Sequence, residues 1–290
     1  MPTITMDQAL DRYRQLVGPV NANKNVATVR KWLVWVGQPT DASLTAYVRE
    51  LQKRGYKAGT VDQHVRVIKS FYRKFKITPP RVVGFTFDPL QDTDRPALAL
   101  EAMQTLMAAA LDPDSGLDAY QRAILAVSLI YGPRANELAA IQPQDVEAER
   151  LYIRTSKGGP PRWIFLPEVL RPVLDIDWPE VKPAKVEKEF DTIWVVVFGT
   201  ERPKGVAWHS PRRGLASALA EAGVSDGDIE YFLRWTGGKK GRSMVALYKN
   251  PNQIVGAHGK APVAKTEAGS YEEDAAVWER HPMLAVSLAG

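Results

Sequence analysis

With 290 residues and 45% hydrophobic content the chain has room for one large or two ordinary domains around a proper core, which excludes global disorder. It has no cysteine, so disulfides, thiolate metal sites and cysteine nucleophiles are excluded; no run of about 18 apolar residues occurs and MPTITMDQALDRY is no secretory signal, so a soluble, cytoplasmic protein is expected. The net charge of +5 is unevenly spread: residues 1–80 carry 14 Lys and Arg against five Asp and Glu, whereas the rest carries 24 against 28. A concentrated cationic surplus suits nucleic acid, because neutralised phosphates release counterions, and it equally suits a merely soluble basic domain.

Four helices are predicted over residues 1–76. TMDQALDRYRQLV offers Thr5 as N-cap and Leu10, Tyr13 and Leu16/Val17 on one face. NVATVRKWLVWVG repeats Val29, Leu33 and Val36 and closes at Gly37; TDASLTAYVRELQKRG follows and ends at Gly55. TVDQHVRVIKSFYRKF sets Val61, Val65, Ile68 and Tyr72 on an apolar stripe and leaves Arg66, Lys69, Arg73 and Lys74 as DNA-facing candidates. Residues 77–97 hold four prolines and an acidic patch and break every periodicity, as a linker would. Beyond them LALEAMQTLMAAALD and DAYQRAILAVSLIYG read as helices, and EAERLYIRT and PRWIFLP as two short strands around a Lys-Gly-Gly turn. HSPRRGLASALAEAG through DIEYFLRW is helical, 172–200 fits helix or strand, and EEDAAVWERHPMLAVSLAG is an amphipathic terminal piece.

Four segments carry chemistry. In YGPRANELAAIQPQDV a turn precedes Arg134, whose guanidinium fork suits phosphate, and Glu137 one turn later can hold that fork; a plain i,i+3 ion pair has the same pattern. In IRTSKGGPPRWIFLP, Lys157 sits on a hairpin tip, where a lysine could protonate a leaving alkoxide, although exposed turns are often basic. WHSPRRGL places His209 and Arg212 three residues apart on one helix face, a pairing that suits an anion or simply a solvated helix start. DIEYFLRWTGGKKGRSMVALYKN holds Trp235, which fits core packing or an indole hydrogen bond, and Tyr248 beyond a loop with Lys239, Lys240 and Arg242.

The order of these parts resembles the tyrosine recombinase (phage integrase) family over about residues 1–255. GPRANELAAIQPQDV is similar to the family's Gly-Leu-Arg-x-x-Glu-Leu segment with its trailing Asp, TSKGGPPRWIFLP to its hairpin lysine followed by a basic residue and a strand ending Leu-Pro, and HSPR to its His-x-x-Arg box. The resemblance implies a mainly α fold with a small β-sheet (α+β). A helical, SAM-like core-binding domain would span 1–78, a linker 79–97, a catalytic domain 98–258 and a tail 259–290. It further implies that Arg134 and Arg212 clamp a scissile phosphate, Lys157 protonates the leaving 5′-oxygen, His209 assists proton transfer and Tyr248 forms a 3′-phosphotyrosyl bond. Trp235 would fill the slot of the family's second histidine, and Glu137 would support Arg134. Lys239, Lys240 and Arg242 join Arg66, Lys69, Arg73 and Lys74 as DNA-contacting candidates.

No metal and no cofactor is expected, since cationic side chains can stabilise phosphoryl oxygens and no clustered Asp/Glu two-metal pattern occurs. The expected partner is double-stranded DNA with short inverted repeats, bound by a tetramer that passes through a Holliday junction, in the cytoplasm and on the nucleoid. With helices starting near Thr5, no arm-binding domain is expected ahead of them. The terminal helix, around 273–289, would dock on a neighbouring protomer or on its own domain. Two features depart from the family pattern. Trp235 precedes Tyr248 by 13 residues, a longer gap than usual, so that the usual interval lands on Lys239; the stretch 172–200 matches poorly. Tyr231, expected to be buried on its helix, and Tyr271, in the tail, are weaker nucleophile candidates. A type IB topoisomerase, which generally has lysine where His209 stands, and an inactive DNA-binding relative are the alternatives.

Overall fold

In the computed structural model, which describes residues 5–87, 96–154, 161–235 and 271–284, the chain divides into two units, Met1–Thr93 and Asp94–Gly290. No helix among the described residues is long and apolar enough to cross a membrane.

The first unit is built from α1 (Met6–Leu16), α2 (Pro19–Val36), α3 (Ser43–Lys53) and α4 (Ala58–Lys74). Thr5 caps α1 reciprocally: its hydroxyl accepts from the Gln8 main chain, and the Gln8 side chain accepts from the Thr5 N–H. Leu10 and Tyr13 are buried as the periodicity predicts, whereas Leu16 is exposed and Val17 alone of that pair packs on the core. α2 begins six residues ahead of the sequence-based start, because Pro19 at its first position needs no N–H partner and presets the helical φ. Its buried face runs through Val26, Val29 and Trp32, with Leu33 and Val36 only partly buried. The α4 stripe Val61, Val65, Ile68 and Tyr72 is buried against α1, α2 and α3. Residues 77–87 have no regular structure yet are fastened to this unit. The Thr45 hydroxyl donates to the Arg81 carbonyl and accepts from the Val83 N–H, and Val82 and Phe85 pack on the core.

The second unit is organised around α6 (Ala119–Tyr131), every residue of which is buried from Ala123 onwards. A helix buried on all sides must be apolar on all sides, and AILAVSLIY is. Asp118 and Gln121 cap its start, and Gly132 in the left-handed conformation ends it. α5 (Leu100–Leu111), the one-turn α7 (Ala135–Leu138), α8 (Arg171–Leu174), α9 (Pro183–Phe198) and α10 (His209–Glu221) pack around α6, and α11 (Asp226–Phe232) follows on α10. β1 (Arg150–Ile153) and β2 (Arg162–Phe165) form an antiparallel hairpin in which Arg150 faces Phe165 and Ile153 faces Arg162. The stretch left open between helix and strand contains no strand: it holds the end of α8, an irregular segment over 175–182 and α9, which includes the β-branched run Val195–Val197 and stops at Gly199. Gly214 lets α10 approach the start of α5, since a Cβ there would lie 2.3 Å from the Met103 Sδ and 2.5 Å from the Leu98 carbonyl oxygen.

The tail differs from the continuous helix expected over 273–289. Among its described residues a 3₁₀ turn at Glu272–Asp274 leads into a single helical turn, α12 (Ala275–Trp278), and no helix follows it to Leu284. Pro282 disfavours the helical conformation at His281 and lacks a donor of its own. The segment packs on its own unit. Trp278 meets the rings of Tyr131, Phe165 and Phe232, and Arg162 of β2 makes a two-pronged ion pair with Asp274, at 2.9 and 2.7 Å.

Candidate active site

The geometry converges on the turn between α6 and α7. Gly132 carries a φ of +54°, and a Cβ there would lie 3.0 Å from Leu233 and 3.2 Å from the Arg212 side chain, so the residue satisfies both a left-handed backbone and a close approach. Two residues on, Arg134 is the N-cap of α7. Its Nη1 donates to the Glu137 Oε1 at 2.7 Å, and its main-chain N–H donates to Oε2 at 3.0 Å, which fixes the guanidinium against a fully buried carboxylate while about a fifth of the arginine side chain stays exposed. The sequence-level expectation that Glu137 can hold the Arg134 fork describes this contact.

Arg212 lies under the same turn. α10 delivers it from one side, wholly buried, with Nη1 donating to the Gly132 carbonyl and Nη2 to the Leu233 carbonyl. The Trp235 ring lies with its centroid 5.0 Å from the guanidinium carbon, a cation–π arrangement. Trp235 is thus both a core residue and a neighbour of the arginine. His209 begins α10 one helical turn before Arg212, half-buried. The structure therefore brings Arg134, Glu137, Arg212 and Trp235 around one turn, with His209 on the helix that supplies Arg212. Tyr231, expected to be buried, is exposed on α11, and Lys157, Lys239, Lys240, Arg242 and Tyr248 lie outside the described residues.

Sequence reasoning passed over Arg234. Its guanidinium is buried beside Glu137, with Nη2 3.7 Å from Oε2. Burial pushes the Glu137 carboxyl up, but the charge of Arg234 and the hydrogen bonds and charge of Arg134 outweigh it, so the carboxyl is held below its ordinary range. Burial lowers Arg234 itself to about 10, against the pull of Glu137, which leaves it cationic at neutral pH. The available signal was a lone charge inside the apolar run Phe-Leu-Arg-Trp.

On the first unit, Arg66 is exposed and pairs with Asp62 at 2.5 Å, whereas Lys69 and Arg73 line a surface depression of about 310 Å³ with Pro79, Pro80 and Arg81. Lys74 is exposed. Arg81, from the segment expected to be a linker, adds a cation to this face that periodicity could not supply. Among the described residues no group of three His, Cys, Asp or Glu could hold a metal ion.

No family model matches the sequence, and no curated protein matches it either. Solved structures do. A lambda integrase (residues 75–356) dimer bound to a COC′ core site superposes with a TM-score of 0.62 at 16% identity, covering 89% of this chain and all of that one. A lambda integrase tetramer bound to a Holliday junction gives 0.63 at 15% identity, covering 89% of this chain and 81% of that one. The XerH site-specific recombinase bound to its difH substrate gives 0.62 at 14% identity, covering 86% and 82%. The chain has the α+β fold of the tyrosine recombinases, as the motif resemblance implied.

Proposed function

We propose that this chain is a site-specific DNA recombinase that cuts and rejoins strands through a covalent 3′-phosphotyrosine. The observation that carries the reading is the meeting of Arg134, braced by Glu137, and Arg212 at the Gly132 turn, from motifs 78 residues apart in the sequence. Two fixed guanidiniums are what a phosphodiester needs as negative charge builds on its non-bridging oxygens. In the proposed step the Tyr248 oxygen attacks phosphorus and the bond to the 5′-oxygen breaks. Lys157 gives that oxygen its proton, and His209 assists by taking up the phenolic proton that Tyr248 loses. Trp235 stacks on Arg212 and keeps it in place. One ester replaces another, so attack by a 5′-hydroxyl reverses the step without ATP.

In this reading the first unit holds DNA through Lys69, Arg73 and Lys74, with Arg66, and the second performs the chemistry aided by Lys239, Lys240 and Arg242. Four copies would act on inverted-repeat sites through a Holliday junction, in the cytoplasm and on the nucleoid, in service of a mobile element. The DNA-bound dimer and tetramer among the similar structures support this proposal. The test is a pool of nicked duplexes with randomised cores, on which the cleaved strand loses its short 5′ partner and the adduct is trapped. The wild-type protein is expected to give a denaturant-resistant protein–DNA band that Tyr248→Phe abolishes. A band that survives Tyr248→Phe removes Tyr248, and no band on any sequence removes the reading.

A further inference from the structure

We propose that Arg234 is a positioning residue that acts through Glu137 to set the guanidinium of Arg134. The inference rests on the recombinase reading for its catalytic meaning and on the following geometry for its physical content. α11 ends in the pattern that usually calls for glycine: the Trp235 N–H returns to the Glu230 carbonyl, the Arg234 N–H returns to the Tyr231 carbonyl, and Arg234 between them has a φ of +55°. An arginine in that left-handed position strains the backbone where glycine would not, so the position is held by what its side chain does.

That side chain ties three segments together. Nη1 donates to the Phe232 carbonyl at 3.2 Å, Nη2 donates to the Tyr131 carbonyl at 3.3 Å, and Nη2 also stands 3.7 Å from Glu137. Tyr131 precedes the glycine whose carbonyl holds Arg212, Glu137 holds Arg134, and the residues flanking Arg234 both touch Arg212: Leu233 through its carbonyl, Trp235 through its ring. Arg234 is thus the buried link between the two arginines assigned to the phosphate.

Electrostatics give the link a direction. A buried carboxylate facing a single cation would cancel that cation's charge and compete with phosphate for its N–H groups. A second, wholly buried guanidinium behind Glu137 compensates the carboxylate from the rear, so the charge of Arg134 is directed outward while its fork stays fixed. With Arg234 gone, Glu137 takes up a proton at higher pH and releases the fork.

The experiment uses the full chain and the duplex that the wild-type protein captures from the randomised nicked pool. Adduct formation in a single turnover is followed from pH 5 to 9 for wild type, R234K, R234M, E137Q and E137Q/R234M, with non-covalent DNA affinity measured in parallel. R234M is expected to slow the adduct on the order of 10²-fold, as a small misplacement of a reacting group does. DNA affinity should stay the same and the acid limb of the profile should move to higher pH. R234K should recover most of the rate, and R234M should add no further loss to E137Q. Wild-type rate and profile in R234M, or additive losses in the double variant, overturn the proposal. If R234M does not fold, R234K against R234Q gives the same comparison. If the wild type captures no duplex, the recombinase reading falls. The NMR titration of the Glu137 carboxyl then decides what is left: a higher midpoint in R234Q than in wild type and R234K keeps the Arg234–Glu137 link, and an unchanged midpoint in R234Q removes it.

Discussion

In the first unit cations sit at the surface beside carboxylates one helical turn away, as Arg66 does with Asp62 and Arg54 with Glu50, whereas in the second Arg162, Arg212 and Arg234 are buried against groups from distant parts of the chain. Surface pairs of the first kind contribute only about 0.2–1 kcal/mol, so they constrain the chain little. Buried guanidiniums cannot be left without partners, so each one fixes the segments that supply them. In the proposed reading the first unit's cations serve affinity and the second's serve geometry.

The sharpest way to break that contrast is to remove the carboxylate that faces a buried cation. Asp274→Ala leaves Arg162 buried without its two-pronged partner and is expected to lower stability by about 3–5 kcal/mol in chemical denaturation. Asp62→Ala, which removes the surface partner of Arg66, should cost under about 1 kcal/mol. Equal losses would erase the distinction.

Acid should expose the second unit next. His281 is buried and pushed down to about 4 by desolvation, while its Nε2–H donates to the Ile130 carbonyl at 2.8 Å and its Nδ1 accepts from the Met283 N–H. In the unfolded chain it takes a proton near pH 6.5, in the folded chain only near 4. Its contribution is therefore whole above about pH 6.5 and lost as pH falls to about 4, at most about 3 kcal/mol. His281→Gln should flatten stability across that window, and an unchanged slope would place the titration elsewhere.

The smallest effect belongs to the first unit. Lys69→Ala and Arg73→Ala should each lower the slope of log affinity against log salt by about 1, with stability within roughly 0.5 kcal/mol of wild type. Arg66→Ala should change the slope less, because Asp62 already occupies it. Slopes that do not move would take these residues off the DNA face.

What the sequence made legible was local. The Thr5 cap, the α4 stripe, the strand pair around Lys-Gly-Gly and the Arg134–Glu137 contact each depend on neighbours within a few residues, and periodicity or turn chemistry encodes them. The α9 run Val195–Val197 stayed ambiguous because β-branched residues favour strands and tertiary packing decides otherwise. Pro282 stood in plain view as the feature that interrupts the terminal piece. Arg162–Asp274, 112 residues apart, and His281–Ile130, 151 apart, leave no periodic trace. Arg234 was harder still, since a charge at the end of an amphipathic helix reads as solvated until the fold closes over it.

The central claim, that the phenol of residue 248 takes up the DNA strand at a cradle built from Arg134 and Arg212, is tested most directly by digesting the trapped protein–DNA adduct and locating the nucleotide by mass spectrometry. The account predicts a 3′-phosphonucleotide on Tyr248 alone, with its yield lost on Arg134→Ala and on Arg212→Ala. A nucleotide on Tyr231, Tyr271 or any other side chain, or an undiminished yield without either arginine, would contradict it.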